Sequence, residues 1–307
     1  MRIQYETIVC ATDLSDTTPS TLMHGIALAR EFQSRLLVSH VVDLPTPSMY
    51  GEAYLAPEEH LNRNLEYARR HIETFMADQA VKWEPRICVG HPADELNRIA
   101  REDGAQLVVA ATHGRKGLKR LLLGSVTEKL MRTLSCPLLV IRGGQPDGGQ
   151  RPPAETLRFK RILVGCDFSP NAELALQHAL SLAQEFESEL HLVHVIEMPT
   201  YTELLKPVLE HRRSSTGAIK TFIQEKIDAL IPTDARLWCQ ATTALREGLP
   251  YAELRAYADQ ASIDLIVLGS RGLGMLDTMF IGSTTDRVIR NAECAVLSVS
   301  LLAGEKI

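Results

Sequence analysis

Two matching stretches decide the fold, Arg161-Ile-Leu-Val-Gly-Cys-Asp167-Phe-Ser169 and, earlier in the chain, Thr7-Ile-Val-Cys-Ala-Thr-Asp13-Leu-Ser15. Each is a largely apolar run that ends at an Asp, with a Ser two residues later. Such a run is typical of a buried strand, and Ser is a frequent first residue at the start of a helix. Each stretch therefore predicts a strand that leads through a short Asp-containing loop into a helix.

The two-copy relation continues along the whole chain. Leu37-Val-Ser-His-Val41 matches His191-Leu-Val-His-Val195, Gly90-His-Pro matches Gly248-Leu-Pro, and Leu107-Val-Val-Ala-Ala-Thr-His-Gly114 matches Leu265-Ile-Val-Leu-Gly-Ser-Arg-Gly272. The difference in residue number between matching positions is larger after Gly90 than before Val41. This predicts a small insertion between the second and third strands of the repeat. A Gly- and Pro-rich segment without periodicity separates the copies. We therefore predict domains over 1–142 and 159–303, with a linker over 143–158.

In both copies, short runs of Val, Ile and Leu alternate with segments of helical period, which is typical of an α/β fold with a parallel sheet. The predicted strands cover 7–12, 35–42, 83–89, 106–111 and 137–142, then 160–166, 189–196, 236–241, 263–269 and 295–300. Ligands of such sheets bind beyond the carboxyl ends of the strands. Asp13 and Asp167 are expected at that edge.

Composition and charge exclude several classes of protein. The chain has 307 residues, of which 45% are hydrophobic, and a net charge of −5, so neither a disordered chain nor a nucleic-acid-binding protein is expected. No apolar run approaches the roughly 20 residues that span a bilayer, and no secretory signal is recognised. The six cysteines form no CxxC pair. We expect a cytoplasmic protein without a disulfide framework, a zinc site or a membrane span.

The glycines after the fourth strand of the second copy form the densest functional pattern. Gly269-Ser-Arg-Gly272 is followed, after nine residues, by Gly282-Ser283 at the start of a helical segment. Glycines allow close approach of the backbone to a ligand, and a helix start presents free N–H groups to phosphate. Glycines also simply end strands, but two copies of this spacing favour a nucleotide site. Neither a P-loop nor a complete dinucleotide-binding motif is present.

Together these features resemble the universal stress protein family. The resemblance rests on the spacing G-x2-G-x9-G-[S/T], the Asp after strand one, the G-x-P before a helix, and the run Cys136-Pro-Leu-Leu-Val-Ile141. It covers both copies almost end to end. It implies two tandem doubly wound domains, each a five-stranded parallel sheet in order 3-2-1-4-5 with helices on both faces, and ATP held at the carboxyl edge of each sheet.

The resemblance also implies roles for single residues. Asp167 lies beside the adenine and ribose, the backbone of Val195 contacts the adenine edge, and Gly269 lies on the ribose side. The residues implied around the phosphates are Gly272, Gly282 and Ser283, and Arg271 in the same loop is either a cation that neutralises phosphate charge or a solvated surface residue. The corresponding set in the first copy is Asp13, Val41, Ala111, Gly114, Gly124 and Ser125, with His113, Arg115 and Lys116 in or next to the loop. Mg²⁺ can accompany ATP, although no carboxylate pair indicates where it binds.

Ala111 stands where the second copy has a glycine, so we expect tighter ATP binding in domain 2. The repeat-related His40 and His194 are interpreted as hydrogen-bonded structural residues, because no motif places a nucleophile beside them. No catalytic or metal-binding residue is predicted. The expected function is that of an ATP-binding stress-response regulatory protein. The alternatives are a weak ATP hydrolase and an interaction module whose first domain has no ligand.

Assembly is expected through the last strand of each copy. Leu138-Leu-Val-Ile141 and Val296-Leu-Ser-Val299 are apolar and would otherwise leave backbone groups unpaired at a sheet edge. We expect the two domains of one chain to pair through these strands, and two chains to form a homodimer.

Overall fold

The computed structural model of this protein describes residues 3–15, 18–43, 57–112, 123–142, 157–197, 216–272 and 281–301. The chain divides into two units, one of residues Gln4–Arg158 and the other of Phe159–Ile307 with the first three residues. Most of the predicted linker lies outside the described residues. The domain limits 1–142 and 159–303 therefore stay predictions.

The first unit alternates strands and helices. Its elements are β1 (Thr7–Ala11), α1 (Thr18–Glu31), β2 (Arg35–Val42), α2 (Pro57–Met76), β3 (Trp83–Val89), α3 (Pro92–Glu102), β4 (Leu107–Ala111), α4 (Ser125–Thr133) and β5 (Leu138–Ile141). The strands are parallel, in the order β3-β2-β1-β4-β5. This is the predicted order 3-2-1-4-5.

The second unit repeats this pattern. Its elements are β6 (Arg161–Cys166), α5 (Pro170–Phe186), β7 (Glu189–Ile196), α6 (Thr216–Asp228), α7 (Ala235–Trp238), β8 (Ala241–Glu247), α8 (Pro250–Gln260), β9 (Leu265–Gly269), α9 (Ser283–Asn291) and β10 (Ala295–Val299). The order of these parallel strands is β8-β7-β6-β9-β10, so the predicted order is confirmed here as well.

The connections explain why helices cover both faces of each sheet. Parallel crossovers are right-handed, so α5 and α6, which lead outward from β6 to β8, lie on one face. The return from β8 to β9 and then to β10 puts α8 and α9 on the other face. The central strands are buried on both faces, and Ile162, Leu163 and Val164 have no exposed surface. The direction of crossover reverses between β6 and β9, whose carboxyl ends therefore border a crevice.

The strand predicted over 236–241 is wrong. Ala235–Trp238 is a short helix, and the strand runs from Ala241 to Glu247. The apolar residues Leu237 and Trp238 suggested a strand, but both are exposed. Because Trp83–Val89 and Ala241–Glu247 have the same place in the two sheets, the repeat was a better guide here than local composition.

A buried histidine makes the stability of the second unit pH-dependent. His178 lies on α5 and is 6% exposed, and burial lowers its pKa from the usual 6.5 to about 4. As the pH falls from 6.5 to about 4, the unfolded chain binds a proton at this position that the folded chain does not. The free energy of unfolding should therefore fall by up to about 3 kcal/mol over this range.

Urea denaturation of the full chain at pH 7.5 and pH 4.5 tests this prediction. His178→Leu should lose less stability between the two pH values than the wild type does. His71→Leu, which changes an exposed histidine on α2, is the control and should behave like the wild type. An equal pH dependence in His178→Leu and the wild type would contradict the prediction.

Candidate functional site

The Asp that follows the first strand of each unit is held in a tight turn. In the second unit, Asp167 Oδ1 accepts a hydrogen bond of 3.0 Å from the N–H of Ser169, and Phe168 between them has φ of +61°. In the first unit, Asp13 Oδ1 accepts a bond of 3.1 Å from the N–H of Ser15. The intervening Leu14 has φ of +57°. Both carboxylates are therefore fixed by the same local geometry at the carboxyl edge of the sheet.

Ser169, at the end of the turn in the second unit, explains why α5 begins there. The hydroxyl of Ser169 accepts a hydrogen bond of 3.2 Å from the N–H of Ala172, and Pro170 occupies the first turn of α5. Proline suits this position, because its fixed φ is helical and it has no N–H to leave unpaired. The start of α5 is thus capped by the protein itself.

The loop after β9 contacts Asp167 directly. A Cβ atom added to Gly272 would lie 2.6 Å from Asp167 Oδ2, which is closer than nonbonded atoms approach. Any side chain at residue 272 would therefore displace the carboxylate. The structure thus brings together two residues that the sequence analysis assigned to one site.

The two ends of the loop are joined by backbone hydrogen bonds. The N–H of Gly282 donates to the carbonyl of Ser270 over 2.8 Å, and the hydroxyl of Thr285 donates to the carbonyl of Gly269 over 2.7 Å. In the first unit, the N–H of Gly124 donates to Thr112 over 2.7 Å. The hydroxyl of Thr127 likewise donates to the carbonyl of Ala111 over 2.7 Å. The loop ends therefore have the same geometry in both units, despite the alanine.

The helix that follows the loop has an uncapped start. In α9 the first helical bond runs from the N–H of Asp286 to the carbonyl of Gly282, and no side chain of the described residues caps the helix. The N–H groups of residues 283–285 therefore have no acceptor within the helix. In the first unit, α4 starts in the same way, with Glu128 bonded to Gly124. Free N–H groups and the positive end of the helix dipole suit an anion.

Val41 and Val195 lie at the carboxyl ends of β2 and β7, as expected. The carbonyl of Ser39 accepts a bond of 2.8 Å from the N–H of Thr12, so the peptide groups of Ser39 face β1. Alternate residues of a strand direct their peptide groups to the same neighbour, and those of Val41 therefore face the β1 side as well. The register of β1 with β2 ends at Ala11 and Ser39. The backbone of Val41 thus lies past the paired part of β1, toward Asp13.

Gly269 has a structural role that the sequence analysis missed. A Cβ atom at this position would lie 2.8 Å from the carbonyl carbon of Asn171 and 3.0 Å from the nitrogen of Ala172. These are backbone atoms in the first turn of α5. The glycine is therefore required by the packing of α5 against the end of β9, a contact between distant parts of the chain.

This contact predicts a loss of stability. Gly269→Ala should destabilise the second unit by about 1–3 kcal/mol, because a methyl group must displace helix backbone. Denaturant unfolding without nucleotide measures the effect, with Ala111→Gly as the matched change in the first unit. The latter should cost less than about 1 kcal/mol, through backbone entropy alone. If Gly269→Ala were as stable as the wild type, α5 would move aside without a free-energy cost, and the prediction would be wrong.

The remaining predicted residues differ in their contacts. The guanidinium of Arg271 donates to Ser300 Oγ over 3.1 Å, so this side chain is tied to the residue after β10. His40 and His194 are buried, and their Nδ1 atoms lie 2.8 Å and 2.7 Å from the carbonyl oxygens of Thr12 and Cys166. These contacts agree with the interpretation as structural histidines. Gly114, His113, Arg115 and Lys116 lie outside the described residues.

A stack of side chains beside Asp167 was also missed. The ring of Phe168 lies 4.7 Å from the ring of His194, and the ammonium of Lys226 lies 4.2 Å from the centre of the Phe168 ring. Phe168 could have been noted from its place next to Asp167. Lys226 is on α6, far away in sequence, and no motif marks it.

Two features are absent from the residues that the structure describes. Among the residues that the structure describes, no group of three or more His, Cys, Asp or Glu side chains could hold a metal ion. None of the helices in the described ranges combines the length and apolar character needed to cross a bilayer.

Comparisons with known proteins agree with the repeat. The model of the universal stress protein family matches residues 4–142 and again residues 158–300. The universal stress protein MJ0531 of Methanocaldococcus jannaschii is 32% identical over 140 residues, which are 45% of this chain and 82% of that protein. The universal stress protein Rv2005c of Mycobacterium tuberculosis is 28% identical over 277 residues, covering 85% of this chain and 86% of its own length.

A solved structure agrees over the whole length. The crystal structure of a universal stress protein from Archaeoglobus fulgidus aligns with a TM-score of 0.67 and 21% identity. The alignment covers 97% of this chain and 99% of the other. At this identity the likeness concerns the fold.

Proposed function

The chain belongs to the universal stress protein family, as a member with two tandem domains, and from this premise we propose that it is an ATP-binding stress-response protein. The nucleotide lies at the carboxyl edge of each sheet. Binding needs no chemistry by the protein, and no catalytic residue is assigned. The domains act as nucleotide-dependent surfaces for regulation.

One observation carries this proposal, the contact between Gly272 and Asp167. Through this contact, the Asp167 carboxylate, which can accept hydrogen bonds from ribose hydroxyls, lies against the loop after β9. The other end of that loop is the uncapped start of α9. A nucleotide laid along this edge meets Asp167 and the Val195 backbone with its nucleoside. Its phosphates meet Gly272, Gly282 and Ser283. The site therefore offers an acceptor for hydroxyls and donors for phosphates in the order in which ATP presents them.

The charges near the phosphate end are compatible with an anion. Asp286 lies in the first turn of α9, but its carboxylate is paired with the guanidinium of Arg290 at 3.0 Å. A bound magnesium ion would take phosphate oxygens as ligands. We assign no protein ligand to it.

The first domain has the same framework, with Asp13, Val41, Gly124 and Ser125 in the matching places. We propose weaker binding there because of Ala111. Gly269 also allows α5 to pack against the end of β9, and titration of the two domains with ATP compares their affinities. Pairing of the domains through their last strands, the homodimer and a cytoplasmic location stay predictions.

The nucleotide content of the purified protein tests the proposal. The full chain is denatured after purification, and released small molecules are identified by mass spectrometry. We expect adenine nucleotide in the wild type and less of it in a Gly282→Asp variant purified in parallel. A wild-type protein that carries no nucleotide and shows no saturable binding of added ATP would contradict the proposed function.

A further inference from the structure

A cavity lies beside Phe168 in the second domain, with a volume of about 120 Å³. It is bounded by α5, by α6 and the residues just after it, by the last residue of β6 and by the middle of β7. Its apolar wall consists of Cys166, Leu176, Leu192 and Leu230. None of the residues that we assign to the nucleotide lines it. Cys166, Phe168 and Ser169 line it and flank Asp167 in the chain, so it lies next to the proposed nucleotide site but is formed by other side chains.

Two opposite charges border this cavity, Lys226 from α6 and Glu173 from the first turn of α5. The Lys226 ammonium is positioned over the ring of Phe168, at 4.2 Å from its centre. Both side chains are largely exposed, and neither forms a salt bridge with any described residue. A ligand at the mouth of the cavity thus meets one positive and one negative group that are not already neutralised by each other.

The thiol of Cys166 lies in the wall of the same cavity. Burial raises the pKa of this thiol to about 11, with smaller effects from the Phe168 backbone, Asp167, Lys226 and Glu173. Lys226 and Glu173 line the same cavity as the thiol. At neutral pH the thiol is uncharged, and it behaves as part of the apolar surface.

We propose that this cavity binds a free amino acid with a branched aliphatic side chain, whose carboxylate pairs with Lys226 and whose ammonium pairs with Glu173. The apolar wall accepts the side chain. L-leucine carries a branched aliphatic side chain and both charged groups, and it is therefore the probe ligand for this site.

The first domain has different residues at the positions that match Lys226, Leu230 and Glu173. Aligning the buried Ile72 and Met76 of α2 with Ile227 and Ile231 places His71 at Lys226 and Phe75 at Leu230. Aligning the first helices places Pro19 at Glu173. Neither rim charge of the second domain is thus present at the matching positions. The site is assigned to the second domain alone.

Ligand-observed NMR titration of the full chain tests this proposal with four probes. L-leucine should bind saturably. Isocaproate has the carboxylate and the side chain but no ammonium, isoamylamine has no carboxylate, and glycine has no side chain. Each of these three should bind at least about tenfold more weakly than leucine, because each loses one charged or apolar contact.

Four variants locate the binding. Lys226→Met and Glu173→Gln change exposed side chains and should each weaken leucine binding by about tenfold. Leu230→Phe should abolish it by filling the cavity with the residue that the first domain has at the matching position. Glu225→Gln, an exposed change on the same helix, should have no effect. The absence of saturable leucine binding, equal binding of isocaproate, or full binding by Lys226→Met or Leu230→Phe would overturn the proposal.

Discussion

Gly282→Asp is expected to lower the affinity of the second domain for ATP by a hundredfold or more. The substitution puts a carboxylate at the start of α9, where the phosphates are proposed to meet free N–H groups and the positive end of the helix. Asp is itself a favourable residue at this helix position, so the fold should not suffer. The loss of binding is therefore separable from a loss of stability. Isothermal titration of the full chain with ATP measures it.

Two matched variants make this result interpretable. In Gly282→Ala, the added Cβ would lie 3.4 Å from the carbonyl oxygen of Ser270, an ordinary contact, and φ of −60° suits any residue. This variant should keep most of the affinity, which separates charge from bulk. Gly124→Asp makes the same change in the first domain and should cost less of the total binding. Equal losses from the two Asp variants would contradict the ranking of the domains.

The second large effect is expected from Gly272→Ala. Its methyl group would lie 2.6 Å from Asp167 Oδ2, so the carboxylate must rotate away from its position beside the loop. The atom that moves is the end of a side chain, and folding should be preserved. If Asp167 binds the ribose hydroxyls, ATP affinity should fall by roughly tenfold, the value of one or two hydrogen bonds to a charged group.

A double-mutant cycle shows whether this loss occurs through Asp167. In an Asp167→Ala background the carboxylate is absent, and Gly272→Ala should then have little further effect on ATP affinity. Additive losses from the two substitutions would mean that the loop and the carboxylate act independently. That outcome would contradict the proposed orientation of the nucleotide, which depends on the contact between Gly272 and Asp167.

The parts of the fold that local patterns and the repeat determine were predictable. Buried strands such as Ile162–Val164 are apolar on both faces, and two copies of each pattern reduced the ambiguity of short runs. The strand near residue 240 was misplaced because Leu237 and Trp238 are apolar but exposed, which only the folded structure reveals. There, the matching strand Trp83–Val89 carried the correct information.

The site was predictable only where its residues are close in sequence to a strand end. Asp167, Gly272 and Gly282 follow strands whose carboxyl ends meet at one edge, so their proximity follows from the topology. The reason for Gly269 could not be seen in the sequence, because it is the backbone of α5, about a hundred residues earlier, that excludes a side chain. Lys226 was missed for the same reason, since its partner Phe168 belongs to another element.

Hydrogen–deuterium exchange of the full chain, with and without saturating ATP, shows where the nucleotide binds. We expect ATP to slow amide exchange in the turn after Asp167, at Gly272 and at residues 282–285 at the start of α9. These are the amides that the proposed nucleotide covers. Protection confined to other regions, such as α6, or no protection at saturating ATP, would contradict the proposed nucleotide site.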